Sequence, residues 1–237
     1  MIVDVVIPAL DEEQALPRVL GAIPRPVVRR VVVADNGSRD KTAEVARAGG
    51  AQVVHEPERG YGAACLRALA HLADDPPDVV VFLDGDYSDH PEELPALLEP
   101  IARGEAELVI GSRTRGARGG LTPQQKVGNA IACAALRSLY GVHYTDLGPF
   151  RAITWEALQR LRLQDRNYGW TVEMQIKAAQ LGVASAEVPV SYRDRIGRSK
   201  VSGTLRGTLG ASAKILWLLA KYAPPVRKRG SRPKGSP

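Results

Sequence analysis

Val79-Val-Val-Phe-Leu-Asp84-Gly-Asp86 is the stretch on which the reading of the fold turns. Its apolar residues run without a polar break, and two carboxylates, two residues apart, follow at once. A strand this uniformly apolar is covered on both faces, as in a parallel sheet sandwiched between helices. The acidic pair then falls at the carboxyl end of the strand, where open α/β sheets bind their ligands. Asp84 and Asp86 could both point oxygen ligands at one hard cation, Mg2+ or Mn2+, with Gly85 letting the backbone approach it closely. Without a cation the two carboxylates would repel, and one would tend to keep its proton. A plain Asp-Gly turn would give the same dipeptide with no metal, so the motif needs company.

Similar apolar runs lie on either side. Val3 to Pro8, Arg30 to Asp35, Gln52 to His55 and Leu108 to Gly111 read as strands, with the run from Val79 extending to Asp84. Between them lie segments of helical period, starting near Asp11, Asp40, Gly62 and Pro91. Such alternation is the pattern of βα units. Asp11 and Asp40 are expected N-caps, because a short acceptor side chain satisfies an orphan amide of the first turn. After Gly111 an Arg/Gly-rich loop, 113 to 120, precedes a further helix near Gln124 to Tyr140.

The polar residues at the strand ends form one set. Pro8-Ala-Leu10-Asp-Glu12 closes the first strand, and Asp35-Asn-Gly-Ser-Arg-Asp40 follows the second, where Asp35 could accept from a nucleobase edge. An Asx turn with a helix cap is the structural alternative for that segment. Gly60-Tyr61-Gly62 supplies another loop where a nucleotide could pass close to the backbone. Neither the Gly-rich dinucleotide fingerprint nor a Walker loop follows the first strand, which disfavours a Rossmann dehydrogenase.

Composition sets the outer bounds. The chain has 237 residues, 44% hydrophobic and 24% charged, the make-up of an ordinary globular domain. Its two cysteines, Cys65 and Cys133, form no CxxC pair, so neither a disulfide framework nor a zinc site is expected. The first residues enter an apolar strand pattern directly, which argues against a signal peptide. A formal charge of +6 suits anionic partners, and part of it lies in a Gly-, Pro- and Ser-rich tail with Arg227, Lys228, Arg229, Arg232 and Lys234.

Taken in order, the segments 6–13, 35–40, Arg-Gly-Tyr-Gly-Ala-Ala (59–64), Leu-Asp-Gly-Asp-Tyr-Ser-Asp-His-Pro (83–91), Gly-Ser-Arg (111–113), Asp-Leu-Gly-Pro-Phe-Arg (146–151) and Arg-Ile-Gly-Arg-Ser-Lys (195–200) resemble the family-2 glycosyltransferases. Within them the resemblance is to the dolichol-phosphate mannosyltransferase and polyprenyl-phosphate glycosyltransferase branch, over residues 3 to 200. It implies a three-layer α/β nucleotide-diphospho-sugar transferase fold (GT-A type) with a mixed, mainly parallel sheet. It also implies a nucleotide-binding half over 1–112, an acceptor half over 113–203, and direct displacement with inversion. Pro8, Leu10, Glu12, Asp35 and Gly62 fall at the nucleoside pocket, and Asp84, Gly85 and Asp86 on the metal and diphosphate motif. Ser88 departs from the mannosyltransferase pattern, which usually has glutamine there.

Arg113, Arg193, Arg195, Ser199 and Lys200 are candidates for phosphate and acceptor binding, since arginine offers a planar fork to phosphate oxygens and lysine a compact charge. In the family the loop equivalent to 192–200 closes over diphosphate and acceptor phosphate. Asp146 and Glu173 are candidate bases if the acceptor is a hydroxyl. If it is a lipid phosphate, already anionic, they orient loops or the sugar instead. Trp170 either stacks on a sugar or packs in the core.

Residues 204–223 read as an amphipathic helix that either docks on the catalytic core or lies in a bilayer interface, and 224–237 as a basic tail. The apolar run 215–220 is too short to span a membrane. The expectation is a cytoplasmic protein, with peripheral contact at the inner face of the membrane as a further option. It would take a nucleotide sugar (GDP-mannose or UDP-glucose), a divalent metal and a polyprenyl phosphate, and no nucleic acid. The rivals are transfer to a soluble hydroxyl, and a sugar nucleotidyltransferase, whose early Gly-rich loop is missing from residues 8–20. A nucleic-acid-binding protein would show metal-independent, steeply salt-sensitive binding.

Overall fold

The computed structural model describes residues 1–116, 121–197, 214, 215 and 217–222. Seven strands form one sheet: β1 (Val3–Ala9), β2 (Arg30–Asp35), β3 (Gln52–His55), β4 (Val79–Phe82), β5 (Leu108–Ser112), β6 (Arg151–Thr154) and β7 (Ser185–Pro189). Their order is β3-β2-β1-β4-β6-β5-β7. Pairing is parallel throughout except that β6 runs antiparallel to both neighbours, β4 and β5. The sheet is mixed and mainly parallel, as expected.

The helices are α1 (Leu16–Ala22), α2 (Thr42–Ala48), α3 (Tyr61–Leu72), α4 (Leu94–Ala102, entered through a 3-10 turn at Pro91–Glu93), α5 (Pro123–Tyr140), α6 (Trp155–Leu161) and α7 (Trp170–Gln180). Alternate strand residues face opposite cores. Val6, Val80 and Phe82 join α3, α5, α6 and α7 in one core, while Val5, Ile7, Val79, Val81 and Leu83 join α1, α2 and α4 in the other. That is why the strands read as unbroken apolar runs. Trp170 is fully buried, with its ring edge-on to Phe82 at 5.9 Å, so it packs the core.

Two local expectations change. β4 stops at Phe82 rather than Asp84: Leu83 still donates to the Val6 carbonyl, and the chain then turns away to place the acidic pair. Asp11 caps no helix, since its backbone is left-handed (φ 52) and α1 begins at Leu16 on the Glu12 carbonyl. Asp40 does serve the start of α2, its Oδ1 accepting from the Thr42 amide at 2.9 Å.

Much of the expected helix at 204–223, and the whole tail, lie outside the described residues. Residues 214, 215 and 217–221 are helical, and Leu218 and Leu219 are buried in the first core, so this part docks on the catalytic body. Among the described residues, no helix is long and apolar enough to cross a membrane.

Candidate active site

A cleft opens over the carboxyl ends of β1, β2 and β4. Pro8, Ala9 and Leu10 form one wall, Asn36 and Arg59 to Tyr61 a second, Asn167 and Tyr168 a third, and Asp84 to Asp86 the floor. The strand order makes this crevice: β1 has β2 on one side and β4 on the other, so the loops leaving these strands diverge. Pro8, Leu10, Asp84, Gly85 and Asp86 therefore come together as the sequence predicts.

On the floor, Tyr61 donates its hydroxyl to Asp84 Oδ1 at 3.1 Å. Burial first, and then the charge of Asp86, push the Asp84 carboxyl up to about 7, against the opposing effects of Tyr61, Arg195 and Arg113. Asp86 accepts from the Ser88 amide at 2.9 Å through Oδ1, and its Oδ2 meets Arg195 Nη1 at 3.1 Å. Asp89 lies beside them, raised well above the carboxylate range by burial and by both neighbouring aspartates. One of its oxygens, Oδ1, is buried with no hydrogen-bond partner. Asp84 and Asp86, close enough for the charge of Asp86 to oppose ionisation of Asp84, are a pair of hard-oxygen donors that a divalent cation fits. Among the described residues no group of three or more metal-ligating side chains forms a cage of its own. Mg2+-type sites take one or two carboxylates and fill the rest with water and substrate phosphates.

The basic loop lies against this floor. Tyr192 bridges to Asp89, the Arg193 amide donates to the Ser88 carbonyl, and the Ile196 amide donates to the Asp86 carbonyl. Arg193 donates to the Asp89 carbonyl and stacks 3.6 Å over the Tyr87 ring. Ser199 and Lys200 lie outside the described residues.

Arg113, leaving β5, is gripped by Asp146. Its Nε and Nη2 donate to the two carboxylate oxygens, each at 2.8 Å, and its amide donates to Oδ2. Burial alone would lower the arginine's pKa; the hydrogen bonds and charge of Asp146 outweigh it and hold the guanidinium ionised. The Leu147 amide fills the remaining approach to Oδ1. Glu173, on α7, is buried and does not line the cleft. Its Oε2 accepts from the amides of Gln164 and Asp165, and its Oε1 from Lys177 and Tyr222. Burial works to raise its pKa, but these donors prevail and hold it below the usual glutamate value, which makes a poor proton acceptor.

The remaining candidates sort by what they touch. Asp35 is buried at the end of β2, with Oδ1 accepting from the Ser38 amide and Oδ2 3.4 Å from His55 Nδ1, and Asn36 rather than Asp35 lines the cleft. Glu12 lies beside Gly85 and lines a smaller pocket with Asp40, Ile196 and Gly197. Gly62 is required by the chain itself: a Cβ there would run into the Asp165 carbonyl. Gly85 has no such constraint, a Cβ meeting its neighbours only at 3.4 Å or more. Sequence reasoning missed Asn36, Tyr61, Asp89, Asn167 and Tyr168. Tyr61 and Asp89 sit inside motifs that were legible, whereas Asn167 and Tyr168 carry no local signal.

Comparison with known proteins gives the family and the fold type. Residues 4–165 match the family described as Glycosyl transferase family 2. The dolichyl-phosphate hexose transferase of Haloferax volcanii is 40% identical over 202 residues, covering 83% of this chain and 85% of that protein. The undecaprenyl-phosphate mannosyltransferase of Micrococcus luteus is 32% identical over 231 residues, covering 92% and 94%. Among solved structures, the glucosyl-3-phosphoglycerate synthase of Mycobacterium tuberculosis, in complex with Mn2+, UDP-glucose and phosphoglyceric acid, superposes with a TM-score of 0.75 at 28% identity, over 95% of this chain and 81% of that one. The fold is accordingly the three-layer nucleotide-diphospho-sugar transferase type, and the chain belongs to glycosyl transferase family 2 as a glycosyltransferase.

Proposed function

We propose that this enzyme moves a hexose from a nucleotide sugar, GDP-mannose or UDP-glucose, to a polyprenyl phosphate, with inversion and with Mg2+ or Mn2+ as cofactor. The observation that carries the reading is the pair Asp84 and Asp86 at the floor of the cleft, with Arg195 3.1 Å from Asp86 and the charge of Arg113 reaching Asp84. Such a floor suits a diphosphate that must leave with its charge neutralised. The bound cation would be held by Asp84 and Asp86 and would stabilise negative charge on the departing diphosphate.

The chain's own residues do the rest. Pro8, Leu10 and the 59–61 segment form the walls for the nucleoside, with Asp35 and Glu12 behind them, and Gly85 leaves room for the diphosphate. Arg113, held by Asp146, presents charge from the β5 side, Arg195 stands on Asp86 ready for the diphosphate, and Arg193, Ser199 and Lys200 are the candidates for the acceptor phosphate. Asp146 and Glu173 orient rather than abstract protons: the oxygens of both already accept from protein donors. A phosphate acceptor is anionic at neutral pH and needs no base, which fits that division of labour.

Support for the lipid acceptor comes from the names of the two polyprenyl-type relatives. Further support is an apolar outer stripe on α5, where Val127 and Ile131 are exposed, and Trp217 standing exposed between Lys214 and Lys221. Both features suit peripheral contact with the anionic inner face of a membrane. A second reading, transfer to a soluble phosphorylated hydroxyl acceptor, is favoured by the phosphoglyceric acid in the M. tuberculosis synthase.

The test is transfer from GDP- and UDP-sugars to polyprenyl phosphate and to phosphoglyceric acid, with Mn2+ or Mg2+, comparing wild type with Asp84→Asn. Metal-dependent product on the lipid, lost in the variant, is the expected result. Product only on the soluble acceptor would replace the lipid reading, and no product with any donor would overturn both.

A further inference from the structure

We propose that Lys214 and Tyr222, on the C-terminal helical segment, are positioning residues for the donor cleft. They act by holding the 164–169 loop, whose Asn167 and Tyr168 form one cleft wall. The inference rests on the assignment of that cleft to the nucleotide sugar.

Between α6 and α7 this loop belongs to no strand or helix, and two buried carboxylates hold its backbone. Asp165 folds its Oδ1 back on its own loop, accepting from the amides of Asn167 at 2.8 Å and Gly169 at 3.0 Å. Its Oδ2 pairs with Lys214 Nζ at 2.8 Å, and the Asp165 side chain is only 2% exposed. Glu173 takes the start of the loop, accepting from the Gln164 amide at 3.0 Å and the Asp165 amide at 2.7 Å through Oε2. Its Oε1 accepts from the Tyr222 hydroxyl at 2.9 Å. Both anchors are thus completed by side chains from the C-terminal segment. Leu218, from the same segment, fills the space beside Gly169 so closely that a Cβ on that glycine would collide with it.

The far side of the loop is the cleft. The Asn167 carbonyl accepts from the Gly62 amide and the Arg166 carbonyl from the Ala63 amide. Both amides belong to the first turn of the helix that starts at Tyr61, whose hydroxyl orients Asp84. A buried carboxylate that loses its cation cannot stay as it was: it draws in water, takes a proton or moves. Removing Lys214 therefore releases Asp165, with it the amides of 167 and 169, and with them the cleft wall and the seat of Tyr61. Tyr222, bonded to Glu173 from the same segment, acts on the other end of the loop. Neither residue lines the cleft.

The experiment uses the full chain. Binding of UDP and of GDP, each with Mn2+, is measured by calorimetry for wild type, Lys214→Met, Tyr222→Phe, Lys214→Arg and Leu97→Ala, alongside Tm and amide exchange of the 164–169 loop. Leu97 is buried in the other core, across the sheet, and controls for general loosening. The expected result is a Kd raised about fivefold or more in Lys214→Met and Tyr222→Phe, the usual lower bound of coupling between linked sites. Exchange at 165, 167 and 169 should quicken, Lys214→Arg should recover most of the affinity, and Leu97→Ala should lose Tm with its Kd held. Wild-type binding with unchanged affinity in both variants would overturn the positioning role alone. A Kd in Leu97→Ala that rises in step with its Tm loss would overturn it too, as general destabilisation. Absence of nucleotide binding in wild type would overturn the cleft assignment and this inference with it.

Discussion

Arg195 Nη1 stands 3.1 Å from Asp86 Oδ2, on a carboxylate proposed to receive the metal. The guanidinium answers the same Asp86 charge that a cation would answer. Cation and Arg195 therefore compete for Asp86 until a diphosphate arrives to take the arginine. Arg195→Gln should bind Mn2+ alone a few-fold more tightly than wild type, by about 0.5–1 kcal/mol for a partly exposed pair. Its turnover should fall by about 100-fold or more, the cost of removing one preorganised donor from a developing charge. Mn2+ titration followed by electron paramagnetic resonance, beside steady-state kinetics, reads both. Weaker metal binding in the variant would contradict the competition.

Asp146 and Arg113 make the second testable pair. Both side chains are nearly withdrawn from solvent, so Asp146→Asn leaves a buried guanidinium without its counter-charge. The expected loss of stability is about 3–5 kcal/mol by urea unfolding, with turnover reduced through Arg113. The pH–rate profile separates the roles. If Asp146 only orients Arg113, the acidic limb of kcat keeps its position in whatever activity remains. If Asp146 is a base, that limb disappears.

Glycines predict opposite outcomes at two sites. At Gly62 an added Cβ meets the Asp165 carbonyl, a backbone atom that cannot swing aside. Gly62→Ala should lower Tm and nucleotide affinity together, since the same contact supports the cleft wall. Gly128, inside α5, has nothing within 4 Å of an added Cβ. Gly128→Ala should gain about 0.5–1 kcal/mol from helix propensity and reduced unfolded-state entropy. Parallel thermal melts check both.

How far the sequence could be read follows from where each signal resides. β1, β2 and β4 were legible because both faces of each strand are buried, which writes an unbroken apolar run that needs no distant partner to interpret. The acidic pair was legible because it follows such a run directly. β6 has only four residues, Arg151–Thr154, and its antiparallel insertion between β4 and β5 is a tertiary fact with no local trace. β7 is a half-exposed edge strand, and its parallel pairing with β5 is likewise a tertiary fact. Glu173 looked like a candidate base because a carboxylate on a helix says nothing of its donors. Two of those donors, the amides of Gln164 and Asp165, come from the preceding loop, and a third comes from Tyr222, 49 residues away. Asp11 resembled a cap because aspartate suits caps and left-handed turns alike, and packing chose the turn.

The crowded floor also sets a pH dependence. In the unfolded chain Asp84 titrates near the ordinary aspartate value of about 3.9, while burial and Asp86 raise it to about 7 in the fold. The fold thus binds this proton more tightly than the unfolded chain does. Its contribution to stability is complete below pH of about 4 and is lost as pH rises through about 7. Asp89, raised for the same reasons, acts in the same direction. A cation bound to Asp84 and Asp86 removes the repulsion and takes the deprotonated form, so it must displace the proton at low pH and need not at high pH. The gain in Tm on adding Mn2+ with a nucleoside diphosphate should therefore grow from pH 5.5 to pH 8. In Asp84→Asn, with the titrating group removed, the metal-free protein should melt higher than wild type at pH 8, and the metal-dependent gain should be small at every pH. Differential scanning fluorimetry across that range measures both curves. A wild-type gain independent of pH would mean that the Asp84 proton and the cation do not share a site.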